Sequence, residues 1–135
     1  MSKPTDGKIL WGRTIGAIII APIVGVLPIA LFAQISGHMP FLIVVLFGYL
    51  YALPMVLLGL LPLHLLLHKL NKPSLLSYIT FSGIIVTTTW LYLNYSQIES
   101  RFDTASITMD IFVVIGSLLG GAVFYLIARP KTQDK

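Results

Sequence analysis

Between Arg13 and Lys69 the chain runs for 55 residues without a Lys, Arg, Asp or Glu. Soluble domains carry about 25% charged residues throughout, so a stretch of this length calls for a lipid environment. It is broken once, by Ser36-Gly37-His38-Met39-Pro40, a cluster of turn residues. The run therefore reads as two membrane spans joined by a tight turn. A hydrocarbon core about 30 Å thick needs about 20 apolar residues of helix, which puts span 1 at 14–35 and span 2 at 41–67. Span 2 is overlong. At about 1.5 Å per residue it must tilt, kink or emerge into the headgroups, and Pro54 and Pro62 mark places to kink. A cleaved signal peptide is the competing reading of span 1. Its apolar region would be well above the usual 7–15 residues, contains Pro22 and Pro28, and is followed by no small-x-small cleavage site.

Two more apolar stretches complete an all-α bundle of four transmembrane helices. Span 3 covers 75–95 with Pro73 close to its start, where a missing N–H matters least. Residues 96–108 form a loop, and span 4 covers 109–128 with Asp110 near its N-terminus, where the helix dipole favours an anion. The transmembrane domain is thus 14–129, between an N-terminal tail of 1–13 and a C-terminal tail of 130–135. Composition agrees: 135 residues, 56% apolar, 10% charged and no Cys, with mean hydropathy +0.90. Without Cys, a disulfide framework, a thiolate metal site and a cysteine nucleophile are excluded. The net charge of +4 points to lipid and not to nucleic acid, because the basic residues flank the apolar runs.

Those flanks set an orientation. Lys3, Lys8, Arg13, Lys69, Lys72, Arg129, Lys131 and Lys135 fall on one side; Arg101 alone falls on the other, among Glu99, Asp103 and Asp110. Both termini are expected in the cytoplasm of a cell whose inner membrane the chain crosses as a multi-pass protein. Trp11, Tyr78 and Tyr125 are expected as anchors at the inner interface, and Trp90, Tyr92 and Tyr95 at the outer one.

At about 100° per residue, each span gathers small or weakly polar residues on one face. Span 1 presents Ala21 and Gly25; span 2 presents Gly48, Ala52, Gly59 and Pro62; span 3 presents Gly83, Thr87 and Asn94; span 4 presents Gly116 and Gly120 in a GxxxG spacing. Helices in lipid associate through close backbone approach and interhelical hydrogen bonds, so these faces are expected to meet. Either they simply pack, or they line a small cavity at the depth of Gly25, Pro54 and Gly120.

The sharpest chemical candidate is His64 with His68, an i, i+4 pair able to present two imidazoles to one metal. No third ligand is in reach: His38 lies at the opposite side, and Asp6 and Asp134 lie in the tails. The helical projection also turns both rings away from the small-residue face of span 2, towards the cytoplasmic boundary. No metal or cofactor is therefore expected, a site shared between protomers being the alternative. Thr87-Thr88-Thr89 offers hydroxyls to a pore, or bonds back to its own helix. Apart from Asp110 at the edge of span 4, no Lys, Arg, Asp or Glu lies inside a span, which argues against gradient-coupled transport of the small multidrug type and leaves a passive pore open. GxSxG, P-loop and HExxH signatures are absent, so no enzyme is expected.

The layout, with Leu57-Leu58-Gly59-Leu60-Leu61-Pro62-Leu63-His64 in span 2 and Gly120-Gly121-Ala122-Val123-Phe124-Tyr125-Leu126-Ile127-Ala128-Arg129-Pro130 at the end, resembles small uncharacterised bacterial four-span inner-membrane proteins. The resemblance implies no reaction and no catalytic residue. The four-span arrangement with both ends inside is also similar to immunity proteins against pore-forming bacteriocins. The leading expectation is a non-enzymatic accessory subunit that binds another membrane protein or its own copies. An oligomeric channel or passive facilitator comes second, and an immunity protein third.

Overall fold

The computed structural model describes residues 9–37, 39–70, 73–94 and 104–129, the last segment with side chains from 106 onward. Every regular element among them is helical: α1 (Trp11–Ile35), α2 (Phe41–Met55), a π-helical turn (Val56–Leu60), α3 (Leu61–Lys69), α4 (Leu75–Leu93) and α5 (Thr104–Ala128). α2, the π turn and α3 run on as one span, Phe41–Lys69, so four helices are long and apolar enough to cross a membrane. Residues 1–8, 38, 71–72, 95–103 and 130–135 lie outside the described part. With them lie Lys3, Lys8, His38, Lys72, Tyr95, Glu99, Arg101, Asp103, Lys131 and Lys135 of the orientation and loop arguments.

The α1–α2 turn is built from two local devices. Gly37 sits at φ 67°, a left-handed conformation that suits a residue without Cβ. The Gln34 side-chain oxygen accepts the Phe41 N–H at 2.9 Å, satisfying one of the orphan donors at the start of α2. α4 opens on a Ser74 cap that accepts the Ser77 N–H at 3.2 Å.

The second span is kinked in phase. Leu61 donates its N–H to the Val56 carbonyl, five residues back, and the wide turn lies between Pro54 and Pro62, neither of which has an N–H to continue the α ladder. One extra residue in a turn rotates everything beyond it by about 100° relative to an unbroken α-helix. The inward positions accordingly step from Gly48 and Ala52 to Val56, Leu60, Leu63 and His64. Pro62, placed inward by the helical projection, is exposed.

Span 4 begins earlier than the hydropathy suggests. α5 starts at Thr104, so 104–108 are helix and Asp110 stands in the second turn, not at the dipole end. Its Oδ1 accepts the Trp90 indole N–H at 2.7 Å, a bond between α4 and α5.

α1 packs most extensively on α5, α5 on α4, and α1 on α2; the second span reaches α4 chiefly through the π turn. The α1–α5 crossing is a backbone contact. A Cβ at Gly116 would overlap the Gly25 carbonyl oxygen, and one at Gly120 would come within 3.3 Å of the Ala21 carbonyl. Gly48 meets Val26 of α1, Gly59 meets Ile85 of α4, and Gly83 meets Leu118 of α5. At the far end Arg13 donates to the Arg129 carbonyl at 2.6 Å, setting a cation at the C-terminus of α5 where the dipole favours it.

Candidate functional site

Two features occupy the interior. The first is a polar cluster at the end of the bundle that carries the termini. His64 is buried, against the expectation that both histidines face away from the bundle; the phase shift of the π turn brings it in. Its Nδ1 lies 2.7 Å from the Tyr78 hydroxyl and its Nε2 lies 3.3 Å from Thr14 Oγ1. Thr14 in turn donates to the Leu10 carbonyl at 3.3 Å. The directions close consistently in one way: Tyr78 O–H donates to Nδ1, and Nε2–H donates to Thr14, whose own proton points to Leu10. The network assigns the Nε2–H tautomer to His64. Three helices, α1, α3 and α4, are thereby tied by one imidazole.

Aromatic rings enclose it. Phe124 of α5 sits edge-on to His64 at 5.6 Å and stacks on Tyr78 at 5.9 Å. The Tyr78 ring is buried, so it belongs to the core and not to the interfacial belt. Its hydroxyl has a partner inside, as buried tyrosines require. His68 lies edge-on to His64 at 4.5 Å. Its Nε2 is buried and has no hydrogen-bond partner among the described residues. With both nitrogens of His64 engaged, the pair does not present two free lone pairs to one ion, and no group of three or more His, Cys, Asp or Glu gathers among the described residues.

The second feature is a cavity of about 250 Å³ between α1, α2, α4 and α5. Its wall follows α2 from Met39 beside the turn to Leu60 in the π turn, and includes Gly25, Ala52, Gly116 and Gly120. Pro54, expected at this depth, lines a separate groove outside, with Gly59 and Thr89. The serines and the tryptophan of the cavity wall are bonded elsewhere. Ser82 donates to the Ser117 carbonyl and Ser117 to the Val114 carbonyl, each at 2.7 Å, and Trp90 donates to Asp110. Tyr51 stands at the rim, 40% exposed. A wall of this kind offers little to water or an ion, which need several polar partners.

The remaining polar candidates lie apart from both features. Thr87 is half-buried on α4 and does not line the cavity. Thr89 bonds back to the Ile85 carbonyl at 2.8 Å, and Asn94 Nδ2 donates to the Trp90 carbonyl at 2.8 Å, closing the end of α4. Thr14, Tyr78 and Phe124 were not singled out as site residues by sequence reasoning, and the signal that finds two of them is indirect: a Thr and a Tyr near the same end of neighbouring spans as a His. Comparison with protein-family models, with curated proteins and with solved structures finds no match for this chain.

Proposed function

We propose that this chain is a small, non-enzymatic accessory protein of a bacterial inner membrane, with both termini cytoplasmic, that recognises another membrane protein or its own copies within the bilayer. The observation that carries the reading is the outward ridge of α2, where Leu42, Leu46 and Leu50 recur at i, i+4 spacing and are each more than half exposed. Only 6% of the most apolar stretch of the second span is buried within the molecule, against 39% for the last span. Rows at i±4 are what interdigitate when helices pack side by side.

The experiment uses the absence of native Cys. Leu46→Cys, probed in native membranes with a bifunctional thiol crosslinker, is expected to give a discrete larger assembly, whereas Leu76→Cys on the exposed face of α4 gives none. A uniform monomer at both positions overturns the reading. The second reading, a passive facilitator, draws on the central cavity, but the committed hydroxyls of its wall favour it less. Liposomes carrying the purified protein are expected to stay impermeable to small ions and polar solutes, and steady flux from the protein alone would put the facilitator first.

A further inference from the structure

We propose that the central cavity is a binding site for a single hydrocarbon chain, the acyl chain of a bilayer phospholipid entering between α2 and α4. Four observations converge on that occupant. The space of about 250 Å³ exceeds the roughly 150 Å³ of an apolar cavity that admits benzene. Its two serine hydroxyls and its indole N–H are bonded to protein acceptors and the Tyr51 ring stands at the rim, so the inner wall selects an occupant with no polar group at that depth.

The gap is also lateral. α2 and α4 make little contact beyond the π turn, and Ile43, Phe47 and Tyr51 at the rim remain exposed, so the mouth opens on the flank of the bundle, between two spans. Finally, the wall runs along α2 from Met39, next to the turn at the membrane boundary, down to Leu60. A chain hanging from a glycerol at that surface lies in this direction. A peptide segment would bring backbone N–H and C=O groups that this wall cannot satisfy, unless it were a full helix, and the cavity is too small for one. The glycines of the wall take a part in this. Gly25, Gly116 and Gly120 close the α1–α5 side by backbone contact, and α2 and α4 make no comparable contact with each other, so the slot is approached from the α2–α4 side.

The test uses the full chain in phosphatidylcholine liposomes doped with a phosphatidylcholine bearing a diazirine part-way along one acyl chain. After photolysis, labelled residues are mapped by mass spectrometry. Val113 and Val56 are buried in the molecule and line the cavity, so annular lipid does not touch them. Labelling at both is expected in the wild type, and its loss is expected in Val86→Phe and in Ala52→Phe, which fill the slot from opposite walls. Circular dichroism and melting of the two variants verify that the bundle is intact. Label confined to Leu42, Leu46 and Leu50 in the wild type overturns the proposal, and this arm stands without either variant. Undiminished labelling of Val113 in both folded variants overturns it as well. The outcome is independent of the α2 ridge, because crosslinking at Leu46 and labelling at Val113 read different surfaces.

Discussion

His64 shows how much one side chain can determine in a bundle that coheres largely by shape. Most contacts between these helices are between apolar or small side chains, which lipid tails match nearly as well; the Thr14–His64–Tyr78 chain is directional and has no equivalent in lipid. Replacing His64 by Ala removes a buried ring and leaves the Tyr78 hydroxyl without its acceptor, and the two effects together are expected to cost about 2–5 kcal/mol. Tyr78→Phe keeps the ring stacking on Phe124 and removes only the hydroxyl, for about 1–3 kcal/mol through the unsatisfied Nδ1. Thermal or denaturant unfolding in detergent should rank the two in that order; equal losses would mean that the hydrogen bond, not packing, holds the ring. A second residue-scale prediction concerns the α1–α5 crossing. Gly116→Ala drives a methyl into the backbone oxygen of Gly25, which has no rotamer to yield, and is expected to lose about 1–3 kcal/mol. Gly12→Ala, with nothing within 4 Å of the new carbon, is expected to lose nothing and to gain some helix propensity. The stripe of small residues that runs through Gly25, Gly116 and Gly120 is visible in the sequence because a missing side chain is itself a spatial statement. The imidazole network is not visible, because a His on a Leu-rich span carries no mark of which neighbour it faces.

At the scale of the element, the second span separates what hydropathy can deliver from what it cannot. The charge-free run, the turn cluster at Ser36 to Pro40 and the prolines fix where helix begins, ends and is stressed. They do not fix its rotational phase, since a span of nearly unbroken Leu, Val, Ile and Phe has almost no polar residue to mark a face. Pro54 and Pro62 flagged a kink; the structure answers with a π turn, and the phase of α3 changes by one residue. The prediction follows from that shift. In a nitroxide scan on single Cys across 55–66, labels at 56, 60, 63 and 64 should be shielded from lipid-dissolved oxygen and labels at 57, 58 and 66 should collide with it, because the latter are exposed. An unbroken α-helix extended from Gly48 would instead protect 55, 59 and 62, and that pattern would rule the π turn out. The same reasoning explains α5. Its first turns are richer in Ser and Thr than in Leu, so hydropathy begins the span late, whereas the helix itself starts at Thr104 and carries Asp110 to Trp90.

For the molecule as a whole, the arrangement is a fan with one loosely closed seam. α1 and α5 form the tight centre through their glycine contact, α4 adds to α5, the second span adds to α1, and α4 and the second span meet chiefly at the π turn. The polar network and the Arg13–Arg129 bond secure the end that carries the termini, while the end that carries the α1–α2 turn encloses the cavity. The first half ties α3 to α1 and α4 through His64, and in the other α2 and α4 make little contact above the π turn. The proposed acyl-chain site gives the open half a sidedness, and the Lys/Arg asymmetry of eight to one supplies the expected direction. Cys reporters at Ser2, Ser36, Ser74, Ser100 and Thr132 need no background substitutions in a chain without Cys. In intact cells an impermeant maleimide should modify the reporters at 36 and 100 and spare those at 2, 74 and 132, with all five reacting after lysis. Labelling at 2 or 132 before lysis would invert the molecule, turn the His64 end outward, and place the mouth of the cavity beside the cytoplasmic leaflet. The orientation therefore decides which leaflet's lipid hangs in the direction of the slot. Modification at 36 in intact cells assigns it to the outer leaflet, where a chain descending from the α1–α2 turn towards Leu60 would stop at the π turn that separates it from the polar cluster.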